Sequence, residues 1–222
     1  MAENISLLSF MQSLSVEQQV ADYLLQIGAI RINPSQPFTW SSGWNSPIYC
    51  DNRVALSYPE IRTYIKNELA SAVKRAFANA GCIAGVATAG IAQGALVADV
   101  LNLPFAYVRP EPKKHGMGNQ IEGRIAPGSK VVLVEDLIST GGSSLKAVEA
   151  LRQHGAEVIG LVAIFTYGFP QAEKNFADAG VPFTTLSSYA HLLDLANDQG
   201  KITDEQLKNL QEWRKTPETW GK

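Results

Sequence analysis

Cysteine is scarce in this chain of 222 residues: only Cys50 and Cys82 are present, and they stand in no metal-ligand or redox spacing. A disulfide scaffold and a cysteine-built metal knuckle are therefore excluded. An excess of positive charge is also missing. With 19 basic and 21 acidic residues the net charge is -2, so no global field holds a polyanion and no nucleic acid partner is expected. The longest uncharged stretch, 76–98, is interrupted by Asn79, Gly81, Gly85, Thr88, Gly90, Gln93 and Gly94, and no membrane partner is expected from it. The opening residues MAENISLLSF carry neither a basic region nor a continuous apolar core, so no secretory signal is expected. With unpaired cysteines, the expected location is cytoplasmic. No repeat, low-complexity block or linker divides the chain, which reads as a single domain over 1–222.

What the sequence does contain is an alternation of apolar runs with helix-period segments, the pattern of βα units and a mostly parallel central sheet flanked by helices. Ser15 is placed to cap a helix, SVEQQVADYLLQIGA, with Val16, Val20, Tyr23, Leu24 and Ile27 on one face and Gly28 as its stop. Ser57 is expected to open a second helix that runs to about Ala80. Strands are expected at 82–87, 105–109, 130–135 and 158–165, and helices over IAQGALVADVLN and SSLKAVEALRQHG. Near the C-terminus, amphipathic helices turn Leu207, Leu210 and Trp213 inward. In open α/β sheets ligands sit beyond the carboxyl ends of strands, so attention falls on the residues after Val134, Arg109 and Ala87.

After Val134 stands Glu135-Asp136, then Ser139-Thr140-Gly141-Gly142-Ser143, then a helix. Two glycines allow a turn tight enough to aim successive N–H groups at one point, and the helix start adds unpaired N–H groups and the positive end of its dipole. That suits a phosphate monoester. The carboxylates of Glu135 and Asp136 would repel phosphate and accept hydrogen bonds from sugar hydroxyls instead, so the turn is suited to a ribose 5-phosphate. No G-x-x-x-x-G-K-[ST] occurs, and Gly116-Met117-Gly118 is followed by Ile121 where a dinucleotide fingerprint needs its third glycine. Between 109 and 124, Arg109, Lys113, Lys114, His115 and Arg124 gather positive charge among prolines and glycines. Such a loop can close over a pyrophosphate, stabilise charge on its leaving oxygens and exclude water; a solvated charged hairpin is the plainer alternative. Gly85 to Ile91 either offers backbone to phosphate oxygens or serves close strand-to-helix packing. Trp40, Trp44 and Tyr49 either stack on a planar base or pack internally.

The stretch VVLVEDLISTGGS resembles the phosphoribosyl pyrophosphate (PRPP) motif of the type I phosphoribosyltransferases. RPEPKKHGMGNQIEG resembles the catalytic loop, and FTWSSGWNSPIYCDNR the N-terminal substrate segment, of the orotate phosphoribosyltransferases. The resemblance implies a type I phosphoribosyltransferase α/β fold, with a small N-terminal hood over about 1–55 and a core over about 56–222. It implies Lys113, His115, Glu135 and Asp136 as catalytic residues. PRPP would be held by Arg109, Lys113, His115 and the run Glu135, Asp136, Leu137, Ile138, Ser139, Thr140, Gly141, Gly142 and Ser143. Ser139 and Tyr49 would contact orotate. Mg2+ is implied as the cofactor, held mainly by substrate oxygens and not directly by the protein, together with a homodimer whose catalytic loop acts in the neighbouring site. Many family members carry lysine where this chain has Ser41, Ala89 and Pro110, and arginine where it has Thr166, which leaves open how the orotate carboxylate is anchored. A phosphoribosyltransferase for another base and a non-catalytic PRPP sensor are the alternatives.

Overall fold

A computed structural model of the chain describes residues 14–40, 43–112 and 120–220. The first helix, α1 (Val16–Gln26), is fixed at its start by a reciprocal cap: Ser15 accepts from the Gln18 amide, and the Gln18 side chain accepts from the Ser15 amide. Gly28, at φ 67°, follows its end. Short antiparallel ladders come next, β1 (Ile30–Ile32) with β4 (Ile48–Cys50) and β2 (Phe38–Thr39) with β3 (Asn45–Ser46). A 3-10 turn at Asn52–Ser57 leads to α2 (Pro59–Ala76). The expected Ser57 start is corrected: Pro59, with φ already set for a helix and no N–H to satisfy, takes the first position behind Tyr58. The helix also ends before Ala80, at Ala76.

The central sheet has the order β10-β9-β8-β5-β6-β7. Its members are β5 (Cys82–Val86), β6 (Phe105–Val108), β7 (Ile121–Glu122), β8 (Lys130–Ile138), β9 (Glu157–Thr166) and β10 (Phe183–Ser188). Every pairing is parallel except β6 with β7. The helices between them are α3 (Gly90–Leu101), α4 (Gly142–Gln153) and α5 (Pro170–Asp178), followed by α6 (Tyr189–Asp198) and α7 (Asp204–Lys215).

The run Val131-Val132-Leu133-Val134 is buried on both faces, as its lack of alternation predicts. Val132 and Val134 join a cluster with α1, α2, α3, α6 and α7, whereas Val131 and Leu133 join one with α4 and α5. Successive residues point to opposite faces, so the strand is covered by helices twice. One difference bears on function. Strand β8 does not stop at Glu135 but continues through Asp136, Leu137 and Ile138, held by register with Ala163, Phe165 and Thr166 of β9.

Candidate active site

At the end of β8 the two acids differ sharply. Glu135 is only 5% exposed: Ser144 Oγ donates to its Oε2 at 3.1 Å and the Asp136 amide donates to its Oε1 at 3.1 Å. Burial first, then the adjacent Asp136 charge, pushes the Glu135 carboxyl well above its ordinary range. Asp136 is half-buried and is raised too, chiefly by burial, against the lowering influence of its hydrogen bond with Glu135. The pair therefore titrates as a unit. The expectation of two carboxylates turned out toward a sugar is corrected for Glu135, because β-ladder pairing carries it into the sheet and Ser144 holds it there. Asp136 is the more open of the two. Its carbonyl accepts from Asn52 Nδ2 at 2.7 Å, and Asn52 Oδ1 accepts in turn from the Cys50 thiol at 3.2 Å.

The following turn leads into α4. Gly141 sits at φ 79° as the residue before the helix, and a Cβ on it would stand 2.6 Å from the Phe176 ring. Only glycine meets both conditions. Asn175 Nδ2 braces the turn by donating to Thr140 O at 2.9 Å. Gly142 and Ser143 are exposed, Ser139 and Thr140 half-buried, and the first N–H groups of α4 have no partner within the helix. Ile138 departs from the expected binding run. Its side chain is buried in the core, and its carbonyl accepts from the Tyr167 amide and the Thr166 hydroxyl.

Beside this turn lies a cavity of about 570 Å3, walled on one side by Leu137, Ser139 and Thr140 and on the other by Trp40, Trp44, Tyr49 and Tyr167. Ser139 and Tyr49, expected at the base, thus share one cavity. Trp40 and Trp44 line the space and also stack on each other, 6.4 Å between centroids. Behind them Trp213 of α7, wholly buried, packs edge-on to Trp40 at 5.6 Å and donates to Asn45 O. The amphipathic pattern of the last helices turns Trp213 inward but links it to no site. Tyr49 lies under the Arg31 guanidinium at 4.9 Å.

On the other side of the turn, a smaller cavity of about 200 Å3 brings together Arg109, Ser143 and Lys146. Lys146, one turn into α4, went unnoticed in the sequence because an exposed helical lysine carries no motif. Arg109 follows β6; its amide donates to Gln120 O, its carbonyl accepts from Gln120 Nε2, and its guanidinium stands 3.6 Å from Glu122 of β7. The cationic segment therefore arises from a β6–β7 hairpin. Lys113 and His115 lie outside the described residues, as does Ser41. The glycines of 85–94 follow from packing: a Cβ at Gly85 would stand 2.6 Å from Gly90 O, one at Gly90 would strike Val134 O, and one at Gly94 would stand 2.8 Å from Phe105. Among the described residues no His, Cys, Asp or Glu cluster gathers three potential metal ligands, and no helix is long and apolar enough to cross a membrane.

Comparison with known proteins agrees with this arrangement. The phosphoribosyl transferase domain family matches residues 56–184. The orotate phosphoribosyltransferase of Bacteroides fragilis is 58% identical over 206 residues, 93% of this chain and 97% of that protein. That of Streptococcus pneumoniae is 55% identical over 207 residues, 93% of this chain and 99% of that protein. Among solved structures, the orotate phosphoribosyltransferase of Aeropyrum pernix superposes with a TM-score of 0.72 at 30% identity, covering 83% of this chain and 99% of that one. The UMP synthase of Leishmania donovani gives a TM-score of 0.76 at 27% identity, over 90% of this chain and 42% of that one. A glycine turn at the end of β8 opens beside an aromatic-walled cavity, and similarity to these enzymes over nearly the full length places the chain in the phosphoribosyl transferase family as an orotate phosphoribosyltransferase.

Proposed function

We propose that the chain transfers the 5-phosphoribosyl group of PRPP to orotate, forming orotidine 5'-monophosphate and pyrophosphate in UMP biosynthesis. The observation that carries this reading is continuity. Residues 135–143 supply the acid pair, one wall of the base cavity and the phosphate turn within a single stretch. The orotate ring nitrogen, having lost its acidic proton, attacks the anomeric carbon, and the carbon–oxygen bond to pyrophosphate breaks. No covalent enzyme intermediate is required.

The protein's part is positioning and charge stabilisation. Asp136, supported by Glu135, accepts from ribose hydroxyls as positive charge develops on the sugar. Ser139, Thr140 and Ser143 with the adjoining amides hold the 5-phosphate. Arg109, Lys113 and His115 attend the pyrophosphate, with the loop acting in the site of a second copy of the chain. The acid pair fits a magnesium-bound donor: two adjacent carboxyls without an ion pair among the described residues would otherwise repel the phosphates. When bound, Mg2+ neutralises pyrophosphate charge, held mainly by substrate oxygens. Residues 1–55 act as a hood over the base within one domain, and the enzyme works in the cytoplasm.

Pyrophosphate release from PRPP with magnesium and, in turn, orotate, uracil, adenine or xanthine tests the substrate; orotate is expected to be preferred. A preference for another base overturns the assignment, and no turnover with any base favours the sensor alternative. For the trans loop, mixing inactive Lys113→Ala and inactive Asp136→Asn proteins is expected to restore partial activity. No recovery despite demonstrated subunit exchange refutes that arrangement.

A further inference from the structure

The Thr166 hydroxyl, at the end of β9, is already occupied. It donates to Ile138 O at 3.3 Å and accepts from the Gly168 amide at 3.0 Å, and the residue is 7% exposed. It braces the end of β9 and has no group left for a ligand. The next residue is different. Tyr167 is 2% exposed, and its amide donates to Ile138 O. Its ring is clamped by Trp40 at 5.0 Å, Phe169 at 5.5 Å, Trp213 at 5.7 Å and Phe165 at 5.9 Å.

A buried phenol ordinarily finds a hydrogen-bond partner. Tyr189, in the same aromatic cluster, does so by donating to Leu210 O at 3.0 Å. The Tyr167 hydroxyl has no hydrogen-bond partner among the described residues, is not sealed from solvent, and belongs to the wall of the 570 Å3 cavity. Among the described residues, none that lines that cavity is cationic. The Cys50 thiol is committed to Asn52 and the Trp40 indole N–H to Ile48 O, and the other hydroxyls lining the space are those of Thr39, Ser139, Thr140 and Tyr49. Burial first, then the neighbouring Cys50, holds the Tyr167 phenol well above its ordinary range, so it stays a protonated donor.

We infer that Tyr167 is a specificity residue for the base, its preorganised hydroxyl donating a hydrogen bond to a carbonyl or carboxylate oxygen of the acceptor ring. This rests on the reading of the cavity as the base site given above. The ring is rigid before binding, so little rotamer freedom is lost when the bond forms. A site built around one such donor discriminates against rings that present hydrogen or a donor at that position, because the phenol is then left unpaired.

The test is Tyr167→Phe, which keeps the ring and removes only the hydroxyl. Wild-type turnover with orotate is measured first. The variant is expected to raise KM for orotate about tenfold or more, the loss typical of a hydrogen bond to a charged acceptor, with KM for PRPP changed less than about twofold. Its melting temperature should be unchanged, because the deleted group has no protein partner. An orotate KM within about twofold of wild type, or a melting temperature lowered by more than about 5 °C, overturns the inference, the latter by revealing a structural partner. If the wild type uses a different base, the proposed function fails, and the same comparison made with that base still decides the role of Tyr167.

Discussion

Replacing Asn52 with leucine probes the coupling between the N-terminal segment and the acid pair. Asn52 is 1% exposed, and its Nδ2 donates to the carbonyl of Asp136 across 84 residues of sequence. Leucine has a similar shape but no donor, so the Asp136 carbonyl loses its side-chain partner at that site. A buried acceptor left in that state costs about 1–3 kcal/mol. Taking about 2 kcal/mol, the melting temperature should fall by about 4–8 °C for a chain of this size. The bond also fixes the peptide that carries the Asp136 carboxyl. If its loss is expressed in transition-state binding, kcat/KM for PRPP falls by up to about thirtyfold. Steady-state kinetics at saturating orotate, paired with thermal melts, separates the two effects. A melting temperature that drops while kcat/KM for PRPP stays within about twofold of wild type would refute the idea that Asn52 positions the acid pair, leaving it as a brace alone.

Glu135→Gln reads the raised carboxyl directly. A carboxyl raised on folding contributes stability that is full below its unfolded value, near 4.5, and lost as pH rises through its folded value. The variant should therefore melt higher relative to wild type at pH 8 than at pH 4, and a difference that is flat or reversed with pH contradicts the assigned burial. Gly141→Ala must accommodate both φ 79° and the Phe176 ring 2.6 Å away. It is expected to lose about 1–3 kcal/mol in urea unfolding and to raise KM for PRPP. By contrast Gly142→Ala, whose Cβ would find nothing closer than Thr140 Oγ1 at 3.9 Å, should change stability by less than about 1 kcal/mol; equal losses would refute the distinction.

The sheet was legible because four of its strands are unbroken apolar runs between helix-period segments, and Ser15 with Gln18 made the first helix boundary readable. The acid pair was legible by type but not by environment. Charged residues after an apolar run read as the start of a loop, whereas backbone pairing with β9 keeps Glu135 and Asp136 in the strand and turns the first one inward. The base wall was only half legible. Tyr49 and Ser139 carried a motif, but Trp213 read only as an inward helix residue, Tyr167 carried no signal of its own, and nothing in local spacing brings position 213 to position 40. Asn52 was hidden for the same reason. Its contact depends on a long-range fold, and an asparagine in a short turn suggests only a turn.

The two ends of the substrate cleft are drawn from the chain in different ways. One comes from a single uninterrupted stretch, which the register of β8 against β9 anchors as far as Ile138. The other adds to one wall from that stretch three distant pieces: the ladders around 38–50, the residues just past β9, and the last long helix. Substitutions in those scattered pieces reach the continuous stretch only through a few bonds, such as Asn52 to Asp136 O and the Tyr167 amide to Ile138 O. A change in the continuous stretch shifts everything beside it.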